Sequence, residues 1–122
     1  MAFVPAGKLG AASAWSVTNN VIPATANVGT TMAMVHTSSR WDIFTKTGDA
    51  FGGTTIERLS ASSPTSAWTI NGTWDATPPA GSVSYGVAVH PEQTATSGQV
   101  LISYNINDFA STCWPIFSYL PL

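Results

Sequence analysis

The chain has 122 residues and 44% hydrophobic content, enough for one packed domain. Only 8% of its residues are charged, against about 25% in an average soluble protein, and neither the low hydrophobicity nor the high net charge of a disordered chain is present. Four basic residues and a net charge of −2 leave no electrostatic footprint for nucleic acid.

Helix signals are nearly absent, because no window sustains apolar residues at three- and four-residue spacing and Gly or Pro interrupts most regions. Five Trp, ten Gly, eight Pro and many β-branched residues favour all-β structure with frequent turns. The opening "MAFVPAGKLGAASAW" lacks the continuous apolar core of a signal peptide, and no stretch approaches a membrane span, so no membrane partner is expected. Either the chain is not exported by that route or Met1 opens a mature or truncated chain.

In chain order, strands are expected at Ser16 to Ile22, ending at Pro23, at Thr30 to Thr37 and at Trp41 to Thr45. After the turn "TGDAFGG" come "TTIERLSAS" and then "SAWTI", which leads into an expected turn at "NGTW". Residues 76–82, "ATPPAGS", read as a loop, since consecutive prolines cannot donate to a ladder. The last strands are Tyr85 to His90, Gln99 to Asn105 and Trp114 to Leu120. Short turns imply antiparallel neighbours. The grouping suggests one all-β unit over 1–122 with two blade-like sheets, at about 15–72 and 83–122: a partial β-propeller of two blades. A β-sandwich is the competing fold.

Period two assigns faces. Tyr85, Val87 and Val89 share one side of their strand while Gly86, Ala88 and His90 share the other; Val100, Ile102 and Tyr104 oppose Leu101, Ser103 and Asn105. His90 and Asn105 are then expected at strand ends. The plain reading of His90 is a neutral imidazole hydrogen-bonded inside the fold; the functional one is a sugar or metal site. Glu92 reads as a solvated loop carboxylate, and Asn105 and Asn107 as turn formers. Pro91 holds His90 out of helical geometry.

Cys113 is the single cysteine, so no internal disulfide can form, and it is expected as a partly buried small apolar side chain. No Cys/His pair has zinc spacing, and neither a metal nor another cofactor is expected. Asn71-Gly72-Thr73 matches a glycosylation acceptor triplet. A glycosidase needs two carboxyl groups across the scissile bond. Asp49, Asp75 and Asp108 sit beside turn residues; Glu57, projecting with Thr55 and Leu59, is a candidate inner-face acid, and Asp42, between Trp41 and Ile43, is another. No Ser-His-Asp, phosphate-loop or paired-His motif is visible. Trp15, Trp41, Trp68, Trp74 and Trp114 are spread along the chain, which favours core packing over one sugar platform.

The segment "SYGVAVHPEQTATSGQVLISYNIN" followed by "CWPIFSYLPL" resembles the C-terminal end of five-bladed propellers related to glycoside hydrolase family 43, most closely the DUF4185-type, endo-D-arabinanase-like group. The matching positions are Tyr85, His90, Pro91, Glu92, Gly98, Leu101, Ile102, Ser103, Tyr104, Asn107, Pro115 and Phe117. "IERLSASSPTSAWT" is similar to a strand exit of the preceding blade, with Ser66 and Ala67 where the family has Gly-Pro. The resemblance implies carbohydrate-active ancestry, an extracellular setting, and a ligand region of His90, Glu92, Asn105 and Tyr85 near a channel mouth. The family's catalytic carboxylates come largely from earlier blades and are carried over to no residue here. Two blades do not close a ring. Completion by a complementary chain or by self-association is therefore expected, with a polysaccharide as ligand. The rival expectation is a structural, self-assembling oligomer or fibre.

Overall fold

The computed structural model describes residues 2–3, 16–17, 21–37, 39–48, 53–93, 98–110 and 112–122. It is all-β, with antiparallel pairing throughout and no helix among the described residues. A two-residue pair, β1 (Ala2–Phe3) and β2 (Ser16–Val17), precedes two meanders. The first is β3 (Val28–His36), β4 (Trp41–Thr47), β5 (Thr55–Ala61) and β6 (Thr69–Asp75), in that spatial order. The second is β7 (Val83–His90), β8 (Gln99–Asn107) and β9 (Cys113–Pro121). No strand is exchanged between them.

Strand placement follows the expected segments, with differences that have local causes. Val21 and Ile22 are not in a strand: Val21 is buried and its carbonyl accepts a 2.7 Å bond from the Trp68 N–H, which docks this segment on the first sheet. Residues 18–20, Trp15, Asp49 and most of "TGDAFGG" lie outside the described residues. The expected turn at "NGTW" is corrected. Those residues continue β6, and Asn71 is the extra residue of a bulge between the Arg58–Gly72 and Leu59–Ile70 pairs. Turn chemistry loses to packing here, because the Trp74 ring covers Gly72 so closely that a Cβ would lie 2.5 Å from it.

The two meanders pack face to face. Val35, Phe44, Ile56 and Ala76 meet Val100, Ile102 and Leu120, with Trp74, Val87, Val89 and Tyr104 around them. Burying each of the Val, Ile, Leu and Phe side chains among them contributes about 1.5–3 kcal/mol. The Ser84 hydroxyl, fully buried, donates to the Ala76 carbonyl at 2.8 Å and ties β7 to the exit of β6. The first sheet is covered on its other face too, where Ile43, Leu59 and Ala61 pack with Val21 and Trp68. Among the described tryptophans, Trp41, Trp68 and Trp74 serve these clusters. The far face of the second sheet has no such cover among the described residues.

Arg58 links the sheets. Its Nη1 donates to the Pro121 carbonyl at 2.5 Å, and its Nη2 to the Asn71 carbonyl, exposed by the bulge, at 3.5 Å. Its Nε lies 3.7 Å from Asp42 Oδ1, an ion-pair distance too long for a hydrogen bond. Asp42, wholly buried, also accepts from Arg40 Nε at 3.0 Å and from the Ser60 hydroxyl at 2.5 Å. Burial holds the Arg58 guanidinium below its ordinary range, with Asp42 opposing that and Arg40 adding to it; it stays protonated at neutral pH.

Candidate functional site

The pairing register determines which side chains share the uncovered face. Tyr85 pairs with Asn105, Ala88 with Ser103 and His90 with Leu101, while β9 sets Phe117 beside Ser103 and Cys113 beside Asn107. Between Tyr85 and Ala88 the strand gains one residue, a bulge that Gly86 permits at φ 68°. Strict alternation puts Tyr85 on the side of the strand opposite His90. The bulge breaks the alternation and moves Tyr85 to the side of His90 and Asn105. Strict period two held for β8, which has no bulge: Val100 and Ile102 are buried and Ser103 and Asn105 are outward.

The outward groups form two clusters. At one end, His90 Nε2 lies 2.8 Å from Ser103 Oγ and His90 Nδ1 lies 3.4 Å from Glu92 Oε1, while the ring centroid is 5.8 Å from that of Phe117. Pro91 and Glu92 form the turn that brings this carboxylate back to the imidazole. At the other end, the Tyr85 hydroxyl contacts Cys113 Sγ at 2.9 Å. This bond pushes the phenol above its ordinary range, slight desolvation adds to that, and the Asn107 side chain opposes it. Cys113 is a free, exposed thiol, not the partly buried apolar side chain expected, because β9 is an edge strand with alternating exposure. A concavity of about 290 Å³ opens here, lined by Asn107, Phe109, Ala110, Thr112 and Cys113. Asn107 is a turn former as expected, its Oδ1 accepting from the Phe109 N–H at 2.6 Å. Asn105 is instead in mid-ladder, paired with Tyr85 and Pro115.

The four residues anticipated for a ligand are therefore divided. His90 joins Glu92, and Tyr85 joins Asn105. Four strand positions on β8, from Leu101 to Asn105, separate the two groups, about 13 Å. Alternation in β8 already puts Ser103 on the side of Asn105, but it does not single Ser103 out as the partner of His90, and it does not place Phe117 or Tyr119 on this face. Ser103 stands two positions from the His90–Leu101 pair, a relation visible only once the register is known.

The carboxylates considered for acid–base chemistry lie elsewhere. Asp42 is buried between cations, and Glu57 points to the opposite side of the first sheet, since it pairs with Thr45 whereas Asp42 pairs with Ser60. Glu57 is buried with Oε2 lacking a hydrogen-bond partner. Asp75 accepts from the Thr77 hydroxyl and N–H, and these bonds hold it below the usual carboxylate range. Asp108 caps the β8–β9 turn, accepting from the N–H groups of Ala110 and Thr112.

No family model matches the chain, and no curated protein or solved structure matches it either.

Proposed function

We propose that this chain is a polysaccharide-binding β protein, a partial β-propeller of carbohydrate-active ancestry, with the outward face of the second sheet as its sugar-binding surface. One observation carries the reading: Phe117 and Tyr119, 59% and 50% exposed, share that face with His90, Ser103, Asn105 and Tyr85. Flat apolar rings stack on the C–H faces of sugars, and the amide, hydroxyl and imidazole groups between them suit ring hydroxyls. The resemblance of the last strands to glycosidase propellers supports the same ligand class. Extracellular polysaccharide is the setting this implies.

Affinity electrophoresis through gels holding soluble neutral polysaccharides tests it. Retardation that disappears in a Phe117→Ala, Tyr119→Ala double variant supports the reading; free migration in every gel overturns it.

A second reading has its own observation. Among the described residues β9 pairs only with β8, so it presents an edge with alternating exposure beside an uncovered face. Such an edge accepts another strand, and copies of the chain completing one another would use it. Light scattering coupled to size exclusion separates the outcomes: a discrete oligomer or polymer supports self-completion, and a stable monomer excludes it.

A further inference from the structure

We infer that Ser103, His90 and Glu92 form a nucleophile–base–carboxylate line able to cleave acyl esters, with O-acylated sugar chains as the substrate class. The sugar portion rests on the reading above. The chemistry rests on the geometry alone. A serine hydroxyl is activated when an imidazole nitrogen stands within hydrogen-bond reach and a third group orients the ring. Here the 2.8 Å Ser103–His90 contact supplies the first condition, and Glu92, whose Oε1 stands 3.4 Å from the other ring nitrogen at ion-pair distance, is the group placed for the second. The tautomer protonated on Nδ1 satisfies both, leaving Nε2 to accept the Ser103 proton. The three residues come from β7, its following turn and β8, so their juxtaposition is a product of the register.

The surroundings suit an acyl group. Phe117 is the direct cross-strand neighbour of Ser103 and lies against the His90 ring, giving an apolar wall at the reacting centre. Asn105 is two positions along β8 on the same face, about 7 Å from Ser103. Its side-chain amide is a donor for the oxyanion that develops on the ester carbonyl.

In the first half-reaction Ser103 Oγ bonds to the ester carbonyl carbon while its proton passes to His90 Nε2. The tetrahedral carbon then expels the sugar oxygen, which takes that proton and leaves as the alcohol. In the second, water attacks the acyl-serine, gives its proton to Nε2, and the acid leaves as Ser103 recovers its hydrogen. The sequence consumes one water per ester and needs no other reactant. Glu92 acts through His90 and is a positioning residue.

The test treats the full chain with a fluorophosphonate probe, locates the adduct by peptide mass spectrometry, and measures hydrolysis of p-nitrophenyl acetate and of an acetylated polysaccharide. The expected result is a single adduct on Ser103 and ester hydrolysis that Ser103→Ala abolishes. His90→Gln lowers kcat by about 100-fold. Glu92→Gln lowers kcat by about fivefold at unchanged KM, the scale of one exposed ion pair. Circular dichroism establishes that each variant retains its sheet content. A folded chain with no Ser103 adduct, or hydrolysis that persists in Ser103→Ala, overturns the inference. Cleavage of the small ester with the polysaccharide untouched overturns the sugar assignment and leaves the triad standing. Cleavage of both supports the whole.

Discussion

The two meanders handle polar residues in opposite ways. In the first sheet β4 and β5 are buried on both faces, as their neighbours on either side require. Yet they hold Asp42, Lys46, Glu57 and Arg58, out of a total of four basic and six acidic residues. In the Asp42–Arg58–Arg40 group opposite charges stand at ion-pair distance, although Arg58 Nε makes no hydrogen bond, and Lys46 Nζ donates to the Gly53 carbonyl. The second sheet is buried on one face and shows near-regular alternation in β9, with its neutral polar and aromatic groups outward. In one sheet polarity is structural, and in the other it stands on an open face. Burial of a charge demands a partner within the fold. A hydroxyl or amide on an open face keeps its bonding capacity for something else.

The largest test of this contrast is Asp42→Ala. It leaves Arg58 buried beside a lost counter-charge, and the expected cost is about 3–5 kcal/mol in urea unfolding. An unchanged midpoint would mean that the cluster is not structural. In the second sheet, Ile102→Ala on the covered face should cost about 2–5 kcal/mol, whereas Phe117→Ala on the open face should stay within about 0.5 kcal/mol. Equal losses at the two positions would show that the open face is covered in solution.

Gly86→Ala is a smaller perturbation. Its positive φ disfavours a Cβ by about 1–2 kcal/mol, although space is available there, with the Asn105 amide 3.7 Å from the added atom. The readout is the unfolding midpoint together with the Tyr85–Cys113 contact, which depends on the bulge. The smallest effect concerns Asp75. Its carboxyl is held low chiefly by the Thr77 hydroxyl, so its stabilising bonds are present above the ordinary carboxylate range and lost as pH falls through its lowered value. Thr77→Val should move the titration upward, toward the ordinary range, without reaching it, because the backbone bond persists. Carbon-detected NMR of the Asp75 carboxyl follows this directly, and a titration that does not move would assign the depression to the backbone alone.

Much of the architecture was legible in order. The spacing of turn residues and β-branched runs located seven strands, and the proline loop at 76–82 separated the two meanders. Alternation in "QVLISYN" named the buried and open sides of β8, because a strand without a bulge obeys period two. The uncertain places were those where a local signal competed with packing. Asn71-Gly72 reads as a turn until Trp74 and Arg58 hold it in a bulged strand.

The candidate site was less legible. His90 and Glu92 stood out by residue type and nearness in sequence, but Ser103 looked like one small residue among many. The partnership of Asp42 with Arg58 was equally hidden, since 16 positions of sequence gave no reason to join them until β4 and β5 paired. Composition and periodicity determined that this chain forms antiparallel sheets with apolar sides, since those patterns act through nearest neighbours and burial. Only tertiary structure decided which sheet face stays open and which side chains meet on it, because register, bulges and sheet-on-sheet packing depend on contacts between residues far apart in the chain.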